Sequence, residues 1–352
     1  MTAVAEEGWR PQERTGLLAR LEIVPSVVHI MWKREMLRYR RDRSQLFGGL
    51  SRTVLWLLIL GYGLGAALRE VEGYSYAVYV LPGVVVLNVL FASLQCAISL
   101  VYDRHVGLLR EVMVSPAPIL SVTLGKLFGG ATIAVFQGTI PLAFAAVASL
   151  YGIVRGWFPS DPVGFAGDAD RIFSLSRVFP NLFSIDTVTT LILAWAVMFL
   201  LGILMTAIGV VIASRMKTFE GFGAISNGII QPLYFLSGSI FPLRGVIGGV
   251  GFTQIPDRIR VELNQLGVNA LGASWFVQLP FWIQFLVYAN PVSYALDLLR
   301  FILLQYNQLD LTLDYAVTII LPFVAIIAAA WAMNRMLKSG PGRMPRRRAA
   351  RA

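Results

Sequence analysis

Few side chains in this sequence have the types and spacing for covalent chemistry. The two histidines, His29 and His105, lie far apart and have no ligand-type residues spaced around them. The single cysteine, Cys96, allows neither an intrachain disulfide nor a cysteine-based metal site. There is no G-x-x-x-x-G-K-S/T phosphate loop, no H-E-x-x-H and no G-x-S-x-G. The chain is therefore not expected to be an enzyme, and no catalytic residue, metal ligand or cofactor is assigned to it. Asp168 and Asp170 are close in sequence but have no histidine nearby, so no metal is expected there.

What remains are charges and amides placed along very apolar sequence. Of 352 residues, 56% are hydrophobic and 14% charged, with mean hydropathy +0.66. A soluble domain carries roughly 25% charged residues, and a disordered chain could not leave so much apolar surface in water. The composition fits an all-α polytopic membrane protein. The first 20 residues do not form the apolar core of a signal peptide, since Glu6, Glu7, Arg10, Glu13 and Arg14 interrupt it.

Six stretches reach the roughly 20 apolar residues a spanning helix needs: about 46–68, 77–101, 127–154, 187–214, 221–243 and 315–334. A further uncharged stretch, 263–296, is long enough to be a seventh. Charge decides the count. Before Gln45 stand Arg10, Arg14, Arg20, Lys33, Arg34, Arg38, Arg40, Arg41 and Arg43, and after Asn334 stand Arg335, Lys338, Arg343, Arg346, Arg347, Arg348 and Arg351. Both ends are expected in the cytoplasm, so the number of crossings is even. Pro280 and the Asn290-Pro291 pair break any long helix in 263–296. That stretch reads as an extracytoplasmic re-entrant or interfacial hairpin. The net charge of +10 is then mostly a topology signal with a grip on anionic lipid, and nucleic acid is not expected as a partner.

Residues 1–45 form a cytoplasmic tail and an interfacial amphipathic helix. Leu17, Leu21, Val24, Val27, Val28, Met31, Met36 and Tyr39 recur at helical spacing, with Glu35 as an exception. After the second span, Val106, Leu109 and Met113 share one helical face among Asp103, Arg104, Arg110 and Glu111, and Ser115-Pro-Ala-Pro118 ends the segment. Such a short helix suits docking to a partner; the alternative is a loop tucked against its own bundle. Charges inside the spans are nearly absent, so no ion-coupled relay is expected. Arg52 and Lys126 lie near span ends and are expected to snorkel. Asn88, Gln95, Gln137, Asn227 and Gln231 are candidates to line a path, or else to hydrogen-bond between helices.

These residues together resemble the membrane subunit of type-2 ABC (ABC-2) exporters. The resemblance rests on Leu81-Pro-Gly83, on Asp103-Arg-His-Val-Gly-Leu-Leu-Arg-Glu111, on Ser115-Pro-Ala-Pro118 and on Gly125-Lys126. Leu236-Ser-Gly-Ser-Ile-Phe-Pro242 and Asn290-Pro-Val-Ser-Tyr-Ala-Leu-Asp-Leu-Leu-Arg300 extend it, so that it covers roughly residues 30–337. It implies a homodimer, or a pair with a closely related permease, bound to two copies of an ATPase subunit that holds ATP and Mg2+. It implies that Asp103, Arg104, Val106, Leu109, Arg110, Glu111 and Met113 couple to that ATPase. It implies that Ser237, Gly238, Pro280, Asn290, Pro291 and Arg300 form the exit gate. The expected cargo is amphipathic: drug, lipid or glycan.

The domain plan is thus a cytoplasmic segment 1–45, an ABC-2 transmembrane domain 46–337 and a basic cytoplasmic tail 338–352. Outer insertions at 155–186 and 244–274 depart from the compact pattern, either as a cap or as loops that pack on each other. The expected location is the cell membrane. The alternative to a transport subunit is a membrane assembly or scaffold protein, which the residues alone leave open.

Overall fold

The computed structural model describes residues 23–60, 70–71, 74–107, 117–157, 184–216, 218–240 and 281–338. Within these the chain is built from nine helices and one minimal hairpin. Helix α1 (Pro25–Arg41) starts on a proline at its first position, and α2 (Arg43–Leu58) follows after Asp42, whose side chain accepts Gln45 N–H. Strands β1 (Glu70–Val71) and β2 (Tyr74–Ser75) pair antiparallel. Then come α3 (Tyr76–His105), α4 (Ile119–Trp157), α5 (Ile185–Arg215) and α6 (Phe219–Leu236). The chain resumes with α7 (Phe281–Ala289), α8 (Pro291–Leu304) and α9 (Leu311–Lys338).

Four of these helices are long and apolar enough to cross a membrane: Tyr76–His105, Ile119–Val147, Ile185–Arg215 and Leu311–Met336. They match the second, third, fourth and sixth expected spans. The first expected span, 46–68, is helical as far as Leu60 and then leaves the described residues. The fifth appears as α6, an 18-residue helix with Pro232 inside it. The insertions 155–186 and 244–274 lie almost wholly outside the described residues.

Helix α3 is the axis of the bundle. It packs against α4, α5, α6, α2 and α8, and from Tyr76 to Leu90 every residue is buried. A helix apolar all round is buried all round. By contrast, α9 turns Ile319, Ile320, Phe323, Val324, Ile327 and Trp331 outward, a face fit for lipid.

Small residues set the helix spacing. A Cβ at Gly202 on α5 would lie 2.9 Å from the Ala131 backbone of α4. On α4, Gly125 and Gly129 stand one turn apart beneath α1: a Cβ at Gly125 would lie 2.7 Å from the Val28 carbonyl, and one at Gly129 would lie 2.8 Å from Glu35 Cβ. The interfacial helix therefore seats directly on α4, further held by Trp32 Nε1–H donating to Thr132 Oγ1 at 3.1 Å and Val24 N–H donating to Ser121 Oγ at 2.8 Å.

The expected hairpin before the last span is a broken helix. Asn290 ends α7 and caps α8, its side chain accepting Val292 N–H at 3.0 Å, and Pro291 occupies the first position of α8. Helix α8 is almost entirely buried and lies against α9, α5 and α3.

Candidate functional site

Two polar clusters lie at opposite ends of α3. One surrounds Asp103 and the other Tyr79, about 36 Å apart at the helical rise per residue.

At the Asp103 end, α1, α3 and α4 each contribute charge. Lys126 Nζ on α4 donates to Glu35 Oε1 at 2.9 Å, to Asp103 Oδ2 at 3.0 Å and to Ser99 Oγ. Arg34 Nη2 donates to the same two carboxylate oxygens, at 3.1 Å to Glu35 and 2.7 Å to Asp103. Two cations and two carboxylates balance. Burial would push the Glu35 carboxyl up, but Lys126 and Arg34 outweigh it and hold the carboxyl at about 2. Burial also works against the Arg34 guanidinium, yet Asp103 and Glu35 more than offset it and raise its pKa.

This cluster corrects two sequence readings. Lys126 does not snorkel: it is 3% exposed and lies in the middle of the ion network. Glu35 is not an exception to the inward face of α1, because it is buried on the same face as Tyr39. Glu35, Asp103, Lys126, Asp297, Arg300 and Asp314 are all buried, and each lies outside the six stretches expected to span. Arg52, also expected to snorkel, places its guanidinium carbon 4.0 Å from the Phe91 ring centroid with Nη1 buried and without a hydrogen-bond partner, so that nitrogen does not reach water.

Arg104, the next residue along α3, grips a different element. Its Nη1 donates to the Met216 carbonyl and its Nη2 to the Ser214 carbonyl, both at 2.7 Å. These carbonyls end α5, where a cation also complements the helix dipole. Asp103 and Arg104 thus tie the C-terminal end of α3 to α1 and α4 on one side and to α5 on the other. Val106 follows in a turn and is exposed. Leu109, Arg110, Glu111 and Met113 lie outside the described residues.

At the Tyr79 end lie three of the six residues named for the gate: Ser237, Gly238 and Arg300. Arg300 on α8 is 1% exposed. Its Nη2 donates to the Gly238 carbonyl, its Nη1 to Gln308 Oε1 at 3.3 Å, and its guanidinium carbon sits 4.3 Å from the Tyr79 ring centroid. Gly238 takes a positive φ of 77°, which favours glycine. Ser237 Oγ donates back to the Tyr234 carbonyl at 2.7 Å. Asn290 Nδ2 donates to the Leu233 carbonyl at 2.7 Å, which joins α6 to the α7–α8 break. Pro280 lies outside the described residues.

Sequence reasoning missed Tyr79, Asp297, Gln308 and Asp314 here. The Asp297 carboxylate accepts Gln308 N–H at 2.8 Å and Leu309 N–H at 2.7 Å, holding the α8–α9 turn. Asp314 is fully buried beside it, its carboxyl facing that of Asp297. The signal that could have found the two acids was the recurrence of Asp297, Asp310 and Asp314 within one short segment before the last span.

The amides named for a path do not gather in one place. Asn88 is buried on α3, its Nδ2 donating to Thr53 Oγ1 at 3.0 Å and to the Val84 carbonyl at 2.9 Å. Gln137 is buried on α4, its Nε2 donating to the Gln45 carbonyl at 3.3 Å. Gln95 is half-buried, while Asn227 and Gln231 are exposed on α6.

Comparison with known proteins agrees with this architecture. Residues 26–160 match the ABC-2 type transporter family. The inner membrane transport permease YadH of Escherichia coli K12 is 23% identical over 308 residues, covering 86% of this chain and 92% of its own. Nodulation protein J of Bradyrhizobium diazoefficiens is 22% identical over 306 residues, covering 85% and 90%. Nodulation protein J of Neorhizobium galegae is 24% identical over 304 residues, covering 85% and 90%. By these matches the chain is similar to ABC-2 permeases over most of its length, and its long apolar helices fit a multi-pass membrane protein. Permeases of this type are membrane subunits of ABC transporters and work with an ATPase partner.

Proposed function

We propose that the chain is the transmembrane subunit of an ATP-driven exporter, forming the translocation path and taking its energy from a separate ATPase. Two copies of that ATPase, holding ATP and Mg2+, serve a permease pair made of this chain with a second copy or a close relative. Both termini face the cytoplasm, and the cargo is amphipathic: a drug, a lipid or a glycan.

The observation that carries this reading is the grip of two consecutive residues at the end of α3. At the C-terminal end of α3, where the expected docking segment begins, Asp103 holds α1 and α4 and Arg104 holds α5. A displacement of that segment by an ATPase acts on four helices at once. At the other end of α3, the same motion reaches Tyr79 and the Arg300–Gly238 contact. Nucleotide state then biases two arrangements of one bundle, open to one side or the other.

Replacing Leu109 and Met113 with Asp tests the docking segment. The double variant is expected to insert normally and to lose the co-purifying ATPase. Retention of the ATPase by that variant would place docking elsewhere.

A further inference from the structure

Helix α1 carries three distinct faces. One, through Val28, Met31, Glu35 and Tyr39, seats on α4 and in the ion cluster. A second is an apolar stripe of Ile23, Ile30 and Leu37, spaced seven residues apart and all exposed. Between them runs a basic row, Arg34, Arg38 and Arg41, which lines an open hollow of about 620 Å³ together with Leu37 and Asp42.

The hollow is a built feature. Arg34 is fixed by its two carboxylates. The Arg38 guanidinium carbon lies 5.1 Å from the centroid of Tyr102, itself half-exposed. Cation–π contact of this kind orients a guanidinium without neutralising it. Among the described residues, neither Arg38 nor Arg41 has an acidic partner. Asp42, the acid on the rim, is occupied in accepting Ser44 Oγ–H and Gln45 N–H. The ion cluster behind is already charge-balanced, so among the described residues the positive charge of Arg38 and Arg41 has no ion-pair partner.

We infer that this hollow binds the phosphate headgroup of an anionic phospholipid, with its acyl chains along the Ile30–Leu37 stripe. Guanidinium forks suit phosphate oxygens, and a basic row beside an exposed apolar stripe suits a lipid more than a soluble anion. Bound lipid would fix α1 on α4 and so brace the ion cluster. The inference needs only that α1 lies at the membrane surface; it does not rest on ATPase coupling or on cargo.

The test is thermal unfolding of the purified full chain in neutral detergent, with phosphatidylglycerol or phosphatidylcholine added. Phosphatidylglycerol is expected to raise the midpoint selectively. R38Q/R41Q is expected to need roughly thirty-fold more phosphatidylglycerol for the same shift, at about 1 kcal/mol per arginine, while R346Q/R347Q in the tail behaves as the parent does. Equal loss in both variants would mean diffuse charge only, and would overturn the site. An equal shift with millimolar inorganic phosphate would replace the lipid by a soluble anion. Loss of a co-purifying ATPase in R38Q/R41Q with the lipid shift intact would assign the row to an acidic protein instead. If R38Q/R41Q does not fold, a photoreactive phosphatidylglycerol added to the parent chain decides. Labelling within residues 30–41 or at Tyr102 supports the site, and labelling elsewhere overturns it.

Discussion

The two ends of α3 solve the same problem, a buried cation, in opposite ways. At the Asp103 end, Lys126 is held by two carboxylates that also hold Arg34. At the Tyr79 end, Arg300 is held by a carbonyl, an amide oxygen and an aromatic face, with no carboxylate within ion-pair distance among the described residues. Breaking a buried ion pair strands a charge and costs several kcal/mol. Exchanging one neutral acceptor for another costs far less. The first cluster therefore behaves as a clamp that keeps α1, α3 and α4 together. The second can exchange partners as α8 moves against α6 and α3, which is what a gate requires.

The largest expected effect comes from removing one member of the clamp. Lys126→Met leaves Glu35 and Asp103 with Arg34 alone and should destabilise by about 3–5 kcal/mol. Adding Glu35→Met to it should restore much of that loss, which thermal unfolding in detergent would show. Acid should act on the same cluster. The Glu35 carboxyl is held at about 2, below its ordinary 4.5, so its stabilising effect is complete above about 4.5 and is lost as pH falls through 2. The full effect is about 3 kcal/mol. An acid titration of the unfolding midpoint should show this slope in the parent and lose it in Glu35→Gln.

Smaller effects are expected at the far end. Arg300→Met leaves only neutral acceptors and should cost about 1–3 kcal/mol, while lowering transport more than folding. A loss as large as that of Lys126→Met would erase the distinction between clamp and gate. Asn290→Ala removes the cap of α8 and its tie to Leu233 and should cost about 1 kcal/mol, read as a lowered unfolding midpoint.

Much of the fold was legible because the bilayer imposes strong patterns. Four spans appeared where apolar length placed them, and the break at Asn290-Pro291 is where proline chemistry put it. Of the residues that the resemblance named for a gate, Gly238 and Arg300 touch and Ser237 adjoins them, while Asn290 bonds Leu233 instead; that grouping came from resemblance rather than from spacing. What stayed hidden were partnerships across sequence. Glu35 looked like a flaw in an apolar face because its partner Lys126 is 91 residues away. Lys126 looked free to reach water because hydropathy cannot see a carboxylate on another helix. Asp314 and Asp297 were passed over for the same reason: only the folding back of α9 onto α8 makes them neighbours.

The central claim is the proposal that this chain is a transport subunit driven by a separate ATPase. The most direct test is to purify the tagged chain from its native membrane in a detergent that keeps known complexes intact, then to apply mass spectrometry and an ATPase assay. The account predicts a Walker-motif ATPase in equal amount and nucleotide hydrolysis in the eluate. Recovery of the chain with no ATPase would contradict it and return the weight to a membrane scaffold.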